Sequence, residues 1–187
     1  MLRSADGRVY AVLLVNPIVI GGLPIPDDTP AFLTVLAVHV AASMVCVAAG
    51  ALAALAPKRP GRHPRAGQIY YGALTTSFTA LVTLAALRWP HDLDLLVIGT
   101  VAVTAATLGL IARRRRRRHW VRVHGTGMAI SYIALLTGFY VDNGPSLPVL
   151  NLLPHITYWL LPSLVGVPLL LRALRRVGRH PSSPIPG

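Results

Sequence analysis

Long apolar runs alternate with short polar stretches along this 187-residue chain. Five of the runs approach or exceed the roughly 20 residues that a helix needs to cross a bilayer. They cover about residues 31–56, 69–87, 95–112, 120–141 and 150–171. The pattern predicts an all-α, polytopic transmembrane helix bundle with a four-helix core and a fifth span.

The two ends of the chain differ from this pattern. Residues 9–23 are apolar but contain Asn16, Pro17 and two glycines, and they are shorter than a spanning helix. We therefore expect residues 1–30 to form an apolar, interfacial segment with an external turn, and a short sixth span is the alternative. Residues 31–172 form the predicted bundle, and residues 173–187 form a basic tail that we expect to be disordered.

The hydrophobic composition changes how the net positive charge is interpreted. The chain is 53% hydrophobic and only 13% charged, whereas soluble domains carry about a quarter charged residues. The net charge of +12 would indicate nucleic-acid binding in a soluble protein. Here the charge lies in short loops beside apolar runs, where it directs topology and attracts anionic lipid headgroups. The expected partners are therefore the lipid bilayer and its headgroups, and no nucleic acid.

Charge also predicts orientation. Residues 113–118 are six consecutive arginines, and 15 of the 18 lysines and arginines fall in segments on the same side of the predicted bundle. Five of the six acids fall on the other side. The positive-inside rule then places the C-terminus in the cytoplasm and the N-terminus outside. Abundant Ala and Arg with no Glu favour a bacterial origin, so we predict a multi-pass protein of a bacterial inner membrane.

The sequence contains no classical catalytic motif. The single cysteine, Cys46, excludes an intramolecular disulfide and a cysteine-based metal cluster. There is no phosphate-binding glycine loop, no Gly-x-Ser-x-Gly and no His-Glu-x-x-His. These absences disfavour a classical enzyme and leave a redox role open.

The histidines carry the candidate chemistry. His39 lies about eight residues inside its span, roughly 12 Å deep at 1.5 Å per residue, and His155 enters the last span from the same side. His63 and His124 lie near two helix starts on the other side. Bis-histidine haem b takes one ligand from each of two helices. We predict haem b bound by His39 and His155, with His63 and His124 as an inner pair; a neutral imidazole bonded within the core is the competing interpretation.

Several short motifs carry a resemblance to a known family. They are His39, Arg62-His63-Pro64 followed by Gly67 and Tyr70-Tyr71, Arg118-His119-Trp120, and Ser131-Tyr132. Together they resemble the bacterial membrane proteins grouped as domain of unknown function 2306. That family has no assigned function, so the resemblance implies a membrane protein without implying an activity. The spacing from His63 to Gly67 is also similar to that of two-haem cytochromes b that pass electrons across vesicle membranes.

Three functions remain open at this point. The first hypothesis is a haem b protein that carries electrons between a quinone or cytoplasmic donor and an outer acceptor. The second is a non-catalytic membrane scaffold or assembly factor whose glycine and alanine faces pack against a membrane protein partner. The third is a small-solute transporter, although the sequence shows neither a buried acid nor any internal repeat, and this counts against proton-coupled transport.

Overall fold

The computed structural model describes residues 18–20, 23–25, 29–87, 92–148 and 150–177. These residues form five long helices: α1 (Pro30–Leu55), α2 (Arg62–Leu87), α3 (Leu93–Arg115), α4 (Trp120–Asn143) and α5 (Ile156–Val177). Before α1, the short strands β1 (Ile18–Ile20) and β2 (Leu23–Ile25) pair antiparallel. Short 3₁₀ turns at Gly144–Ser146 and Leu150–Leu152 connect α4 to α5. The predicted all-α bundle is confirmed.

Parts of the two terminal predictions lie outside the described residues. These parts are residues 1–17, 21–22 and 26–28 and the tail beyond Val177. The predicted start of the tail at residue 173 lies within α5, which continues to Val177.

The helices pack as two hairpins. The most extensive contacts join α1 to α2 and α3 to α4. A smaller contact joins α2 to α3, and α5 packs on α4. We call the end of the bundle where residues 56–61 and 116–119 connect the helices the basic end.

At the basic end the helices extend beyond the apolar runs. α2 begins at Arg62, ahead of the predicted span at residue 69, so His63 lies in its first turn. α3 continues through the first three arginines of the arginine run to Arg115. Arginine is a good helix former, and positive charge at a helix C-terminus interacts favourably with the helix dipole. The helix ends at Arg115 and is followed by Arg116, which adopts a left-handed conformation with φ 45°.

Four of the helices, namely α1, α2, α3 and α5, are long and apolar enough to cross a membrane. The exception is α4, although it was predicted as a span. α4 packs against α3, α5 and α1. Its polar residues Ser131 and Thr137 are buried, so they lie against protein rather than lipid.

The centre of the core is built from small residues around a buried tyrosine. Cys46 and Ala49 of α1 and Ala102 and Ala106 of α3 are almost fully buried, and Tyr70 of α2 is 1% exposed. Small side chains at helix interfaces let membrane helices approach closely, so packing in the bilayer depends on them. The same closeness allows one tyrosine to reach across the bundle.

The two hairpins are copies of one pattern, which corrects the expectation that the chain has no internal repeat. Residues 69–78 of α2 and 130–139 of α4 are identical at six positions: Ile69/Ile130, Tyr71/Tyr132, Ala73/Ala134, Leu74/Leu135, Thr76/Thr137 and Phe78/Phe139. At the same offset His63 corresponds to His124. The first helices align less strongly, with identities at Val45/Val101, Val47/Val103, Ala49/Ala105, Leu52/Leu108 and Ala56/Ala112. Both copies run in the same direction through the bundle, as in a parallel repeat.

Candidate functional site

Two histidines from different hairpins meet at the basic end. His63 is in the first turn of α2 and His124 is in the second turn of α4. Their ring centroids are 6.5 Å apart, and the ring planes are almost perpendicular at 83°. The structure therefore brings together the histidines that were predicted as the inner pair.

Each histidine is held by a backbone carbonyl of the preceding helix. Nδ1 of His63 lies 2.9 Å from the carbonyl oxygen of Ala53 in α1, and Nδ1 of His124 lies 3.0 Å from that of Gly109 in α3. A carbonyl oxygen can only accept, so Nδ1 carries the proton in both rings. In the neutral imidazole, Nε2 is then left with a free lone pair. Neither Nε2 is hydrogen-bonded to a described residue, and among these residues no partnerless side-chain nitrogen is buried.

Close helix packing explains the position of His124. α3 and α4 approach closely at Gly109 and Gly127, where a Cβ on Gly127 would lie 2.6 Å from the carbonyl oxygen of Ala105 and 3.0 Å from Cα of Gly109. Only glycine permits this approach, which brings the His124 ring within reach of the Gly109 carbonyl. In the first hairpin the corresponding residues are Ala53 and Ala66, which are also small.

Positive charge surrounds the pair. Lys58 and Arg113 are the cationic side chains whose electrostatic influence reaches His124. The Lys58 ammonium donates hydrogen bonds of 2.8 Å to the carbonyl oxygens of Ala53 and Ala54, so it caps the C-terminus of α1. Partial burial lowers the pKa of Lys58 from its ordinary value. The pair therefore lies in an electropositive environment that favours an anionic group beside it.

Deeper in the bundle, equivalent residues of the two hairpins also contact each other. The Tyr70 hydroxyl and Ser131 Oγ are 2.7 Å apart, and both residues are almost fully buried. Tyr70 and Ser131 occupy corresponding positions, as do His63 and His124. Contacts between corresponding residues are what a two-fold relation produces at its axis. The histidine pair and the Tyr70–Ser131 pair thus lie where the two hairpins meet.

Two further tyrosines link each hairpin to the first helix of the other. Tyr132 of α4 donates its hydroxyl proton to the carbonyl oxygen of Val47 in α1 at 3.0 Å. Its counterpart Tyr71 of α2 contacts Thr107 Oγ1 of α3 at 3.0 Å. Thr107 in turn donates to the carbonyl of Val103, the counterpart of Val47. These reciprocal bonds fix the two hairpins against each other.

The histidines predicted as the outer pair occupy separate surroundings. Nδ1 of His39 lies 2.9 Å from the carbonyl oxygen of Ser77. His155 is exposed in the turn before α5, and its ring contacts Tyr158 at a centroid distance of 5.5 Å. Within the described residues, no hydrogen bond or ring contact joins His39 to His155. His155 lies outside α5 because that helix begins at Ile156, later than the predicted span at residue 150.

Other candidate residues have structural roles. Cys46 is fully buried, and its thiol lies 3.6 Å from the carbonyl oxygen of Tyr70. His119 is exposed at the N-terminus of α4 in a left-handed conformation. Across the described residues, no group of three or more His, Cys, Asp or Glu side chains is placed to hold a metal ion.

Comparison with known proteins does not assign the chain. No protein-family model matches it, and neither the curated proteins nor the solved structures include a match. The function therefore has to be inferred from the chain's own geometry.

Sequence reasoning missed the Tyr70–Ser131 contact and the repeat behind it. Both were detectable, because shifting the chain by 61 residues aligns His63 with His124 and Tyr70 with Ser131. What the sequence does not contain is the distance between the hairpins, which depends on how the small residues pack.

Proposed function

We propose that this protein is an integral membrane haem b carrier in which His63 and His124 would hold the haem, and that it passes electrons within the membrane. The observation that carries the proposal is the contact between these two rings, one from each hairpin. A haem held between helices of a bundle needs one ligand from each of two helices. The proposal moves the haem from the predicted outer pair to the inner pair.

The donor atoms fit such a group. Histidines that bind metals usually donate the other ring N–H to a carbonyl or carboxylate, which orients the ring and raises its basicity. His63 and His124 both do so through Nδ1. The ring centroids lie 6.5 Å apart, so both imidazoles would reach a group held between them.

The surroundings also support an anionic cofactor. Lys58 and Arg113 are close enough to supply positive charge to carboxylate substituents of a haem. Beside the pair, Gly67 and Gly125 have no atom within 4 Å of the place where a Cβ would lie. A bound haem would provide the one-electron chemistry, while the chain orients it, holds its ligands and supplies countercharge.

The proposal includes the orientation of the protein in the membrane. The arginine-rich loops lie at the end that carries the histidine pair, so the positive-inside rule places the pair on the cytoplasmic side of a bacterial inner membrane. Tyr70, Ser131 and Tyr132 belong to the motifs that resemble domain of unknown function 2306, and all three join the two hairpins. This supports the proposal that these motifs build the same site in that family. We include membership of that family in the proposal.

The test is a dithionite-reduced minus oxidised absorption spectrum of the detergent-purified protein, expressed with excess haem. We expect a sharp b-type α band that is lost in His63→Ala and in His124→Ala. Matched controls are His155→Ala and His119→Ala, which remove exposed histidines from the same chain and should keep the band.

Folding has to be checked separately, because both ligands also bond to a neighbouring helix. Far-UV circular dichroism and gel filtration should show intact protein in each variant, and His63→Gly with added imidazole should regain the band. A flat spectrum from well-folded wild-type protein, or a band that persists in both ligand variants, would overturn the proposal.

A further inference from the structure

A second polar cluster lies on the other side of the bundle centre from the histidine pair. It consists of His39, Ser43 and Ser77, and we call it the His39 triad. Ser43 Oγ lies 2.7 Å from Ser77 Oγ, and Ser77 Oγ lies 3.3 Å from Nδ1 of His39. His39 is nine residues beyond Pro30, or about 14 Å along α1, within a predominantly apolar helix. Polar groups at such depth are costly and usually functional.

The repeat provides an internal control for this cluster. In the second hairpin, the positions that correspond to the His39 triad hold Leu95, Gly99 and Gly138. That hairpin packs as extensively as the first one. The fold therefore does not require a polar triad here, whereas it keeps a histidine at the basic end of both hairpins.

The bonding of His39 decides what the triad can bind. Nδ1 lies 2.9 Å from the Ser77 carbonyl oxygen, so Nδ1 carries the proton and Nε2 of the neutral ring is an acceptor. Nε2 has no hydrogen bond, and it is not buried, because the described residues hold no buried side-chain nitrogen without a partner. A ligand at Nε2 must therefore bring an O–H or N–H donor.

The route to Nε2 restricts the ligand further. His39 is half-buried, and its neighbours Val38 and Val40 are 45% and 52% exposed on the same helix. In a bilayer these side chains face hydrocarbon. A molecule that approaches this part of α1 from the bilayer has to be soluble in hydrocarbon and to carry an uncharged donor group for Nε2. Phospholipid headgroups are charged and remain at the interface, so they do not meet both conditions.

We propose that the His39 triad binds the headgroup of a lipid-soluble quinol, with one quinol hydroxyl donating to Nε2 of His39. An isoprenoid quinol combines an apolar body with two uncharged hydroxyl donors, and the Ser43–Ser77 hydroxyl pair lies next to the imidazole. The proposal concerns binding. It also deepens the proposed function, because a bound quinol would be the class of electron donor. Only this role as donor rests on the proposed function.

The experiment measures binding of radiolabelled decylubiquinol to protein in lipid nanodiscs under anaerobic conditions, with empty nanodiscs as background. We expect His39→Leu, which copies Leu95 of the second hairpin, to weaken binding roughly fivefold to tenfold, the effect of losing one hydrogen bond. His155→Leu is the matched control and should bind as the wild type does. The dimethyl ether of the same quinol lacks both donors and should bind as weakly to the wild type as the quinol binds to His39→Leu.

Two results would overturn the proposal: equal quinol binding by the wild type and His39→Leu, or equal binding of the quinol and its dimethyl ether by the wild type. The haem proposal is tested separately by His63→Ala, which should lose the b-type band and keep quinol binding. Quinol binding without any haem band would therefore contradict the proposed function and leave the His39 triad as a quinol site.

Discussion

The two hairpins share a frame but differ in what they carry. At the basic end both hold a histidine whose Nδ1 donates to the preceding helix, and these two rings meet. Further along, the first hairpin has the His39 triad, where the second has a leucine and two glycines. Both hairpins pack equally well with the polar triad or with a leucine and two glycines. The comparison therefore distinguishes the histidines that join the two hairpins from the polar residues that occur in the first hairpin alone.

The largest expected effect comes from the closest contact in the second hairpin. In Gly127→Leu the side chain would collide with backbone atoms of Ala105 and Gly109, which cannot move independently of α3. We expect a loss of about 3 kcal/mol in the free energy of unfolding, measured by denaturant titration in detergent. Gly72→Leu is the control, since nothing lies within 4 Å of a Cβ there and leucine favours a helix. Similar stability of both variants would show that α3 and α4 do not depend on the glycine contact.

The buried contact between the hairpins should have the next largest effect. Ser131→Ala leaves the Tyr70 hydroxyl buried without a partner, which should cost about 1–3 kcal/mol. Tyr70→Phe should cost less, because a serine in a helix can donate to the carbonyl four residues earlier. The double variant should be more stable than the sum of the two losses implies. Strictly additive losses in the same titration would mean that the two groups are not coupled.

The hydrogen bonds of the corresponding residues Tyr132 and Tyr71 should contribute unequally to the free energy of unfolding. Tyr132→Phe removes a hydrogen bond to the Val47 carbonyl and should lower the free energy of unfolding by about 1 kcal/mol. Tyr71→Phe should cost only about 0.5 kcal/mol, because Thr107 keeps its own bond to Val103. The comparison requires only the two single variants and their thermal midpoints. A larger loss in Tyr71→Phe would reverse the predicted order.

The smallest effect should come from the loops at the basic end. The first hairpin turns through Gly61 at φ 113°, whereas the second has Arg116 and His119 at positive φ. Glycine avoids the steric cost that other residues have there, so His119→Gly should raise stability by about 0.5 kcal/mol. Arg117→Gly is the control, because Arg117 does not have a positive φ and should gain nothing. Equal shifts in the thermal midpoint would mean that loop strain is not the cause.

Much of the fold was predictable from the residues. The five apolar runs correspond to the five helices, and Trp120 was correctly predicted as the start of α4. The ends at the arginine-rich loops were not, because Arg113 and its neighbours are poor membrane residues but good helix formers, and hydropathy reports only the first property. His155 was placed in the last span for a related reason: the apolar run continues through the 3₁₀ turn at Leu150–Leu152, although α5 begins only at Ile156.

For the candidate site, the sequence identified the histidines but not which of them meet. The apolar runs and the positions of the charged residues are properties of the sequence alone, so they determined the helical class, the order of the helices and the end of the bundle that carries the positive charge. Whether the His63 ring reaches His124 depends on helix rotation and separation. These are decided by tertiary contacts such as Gly109 on Gly127 and Tyr70 on Ser131. Such contacts join residues far apart in the chain, and only the packed bundle brings them together.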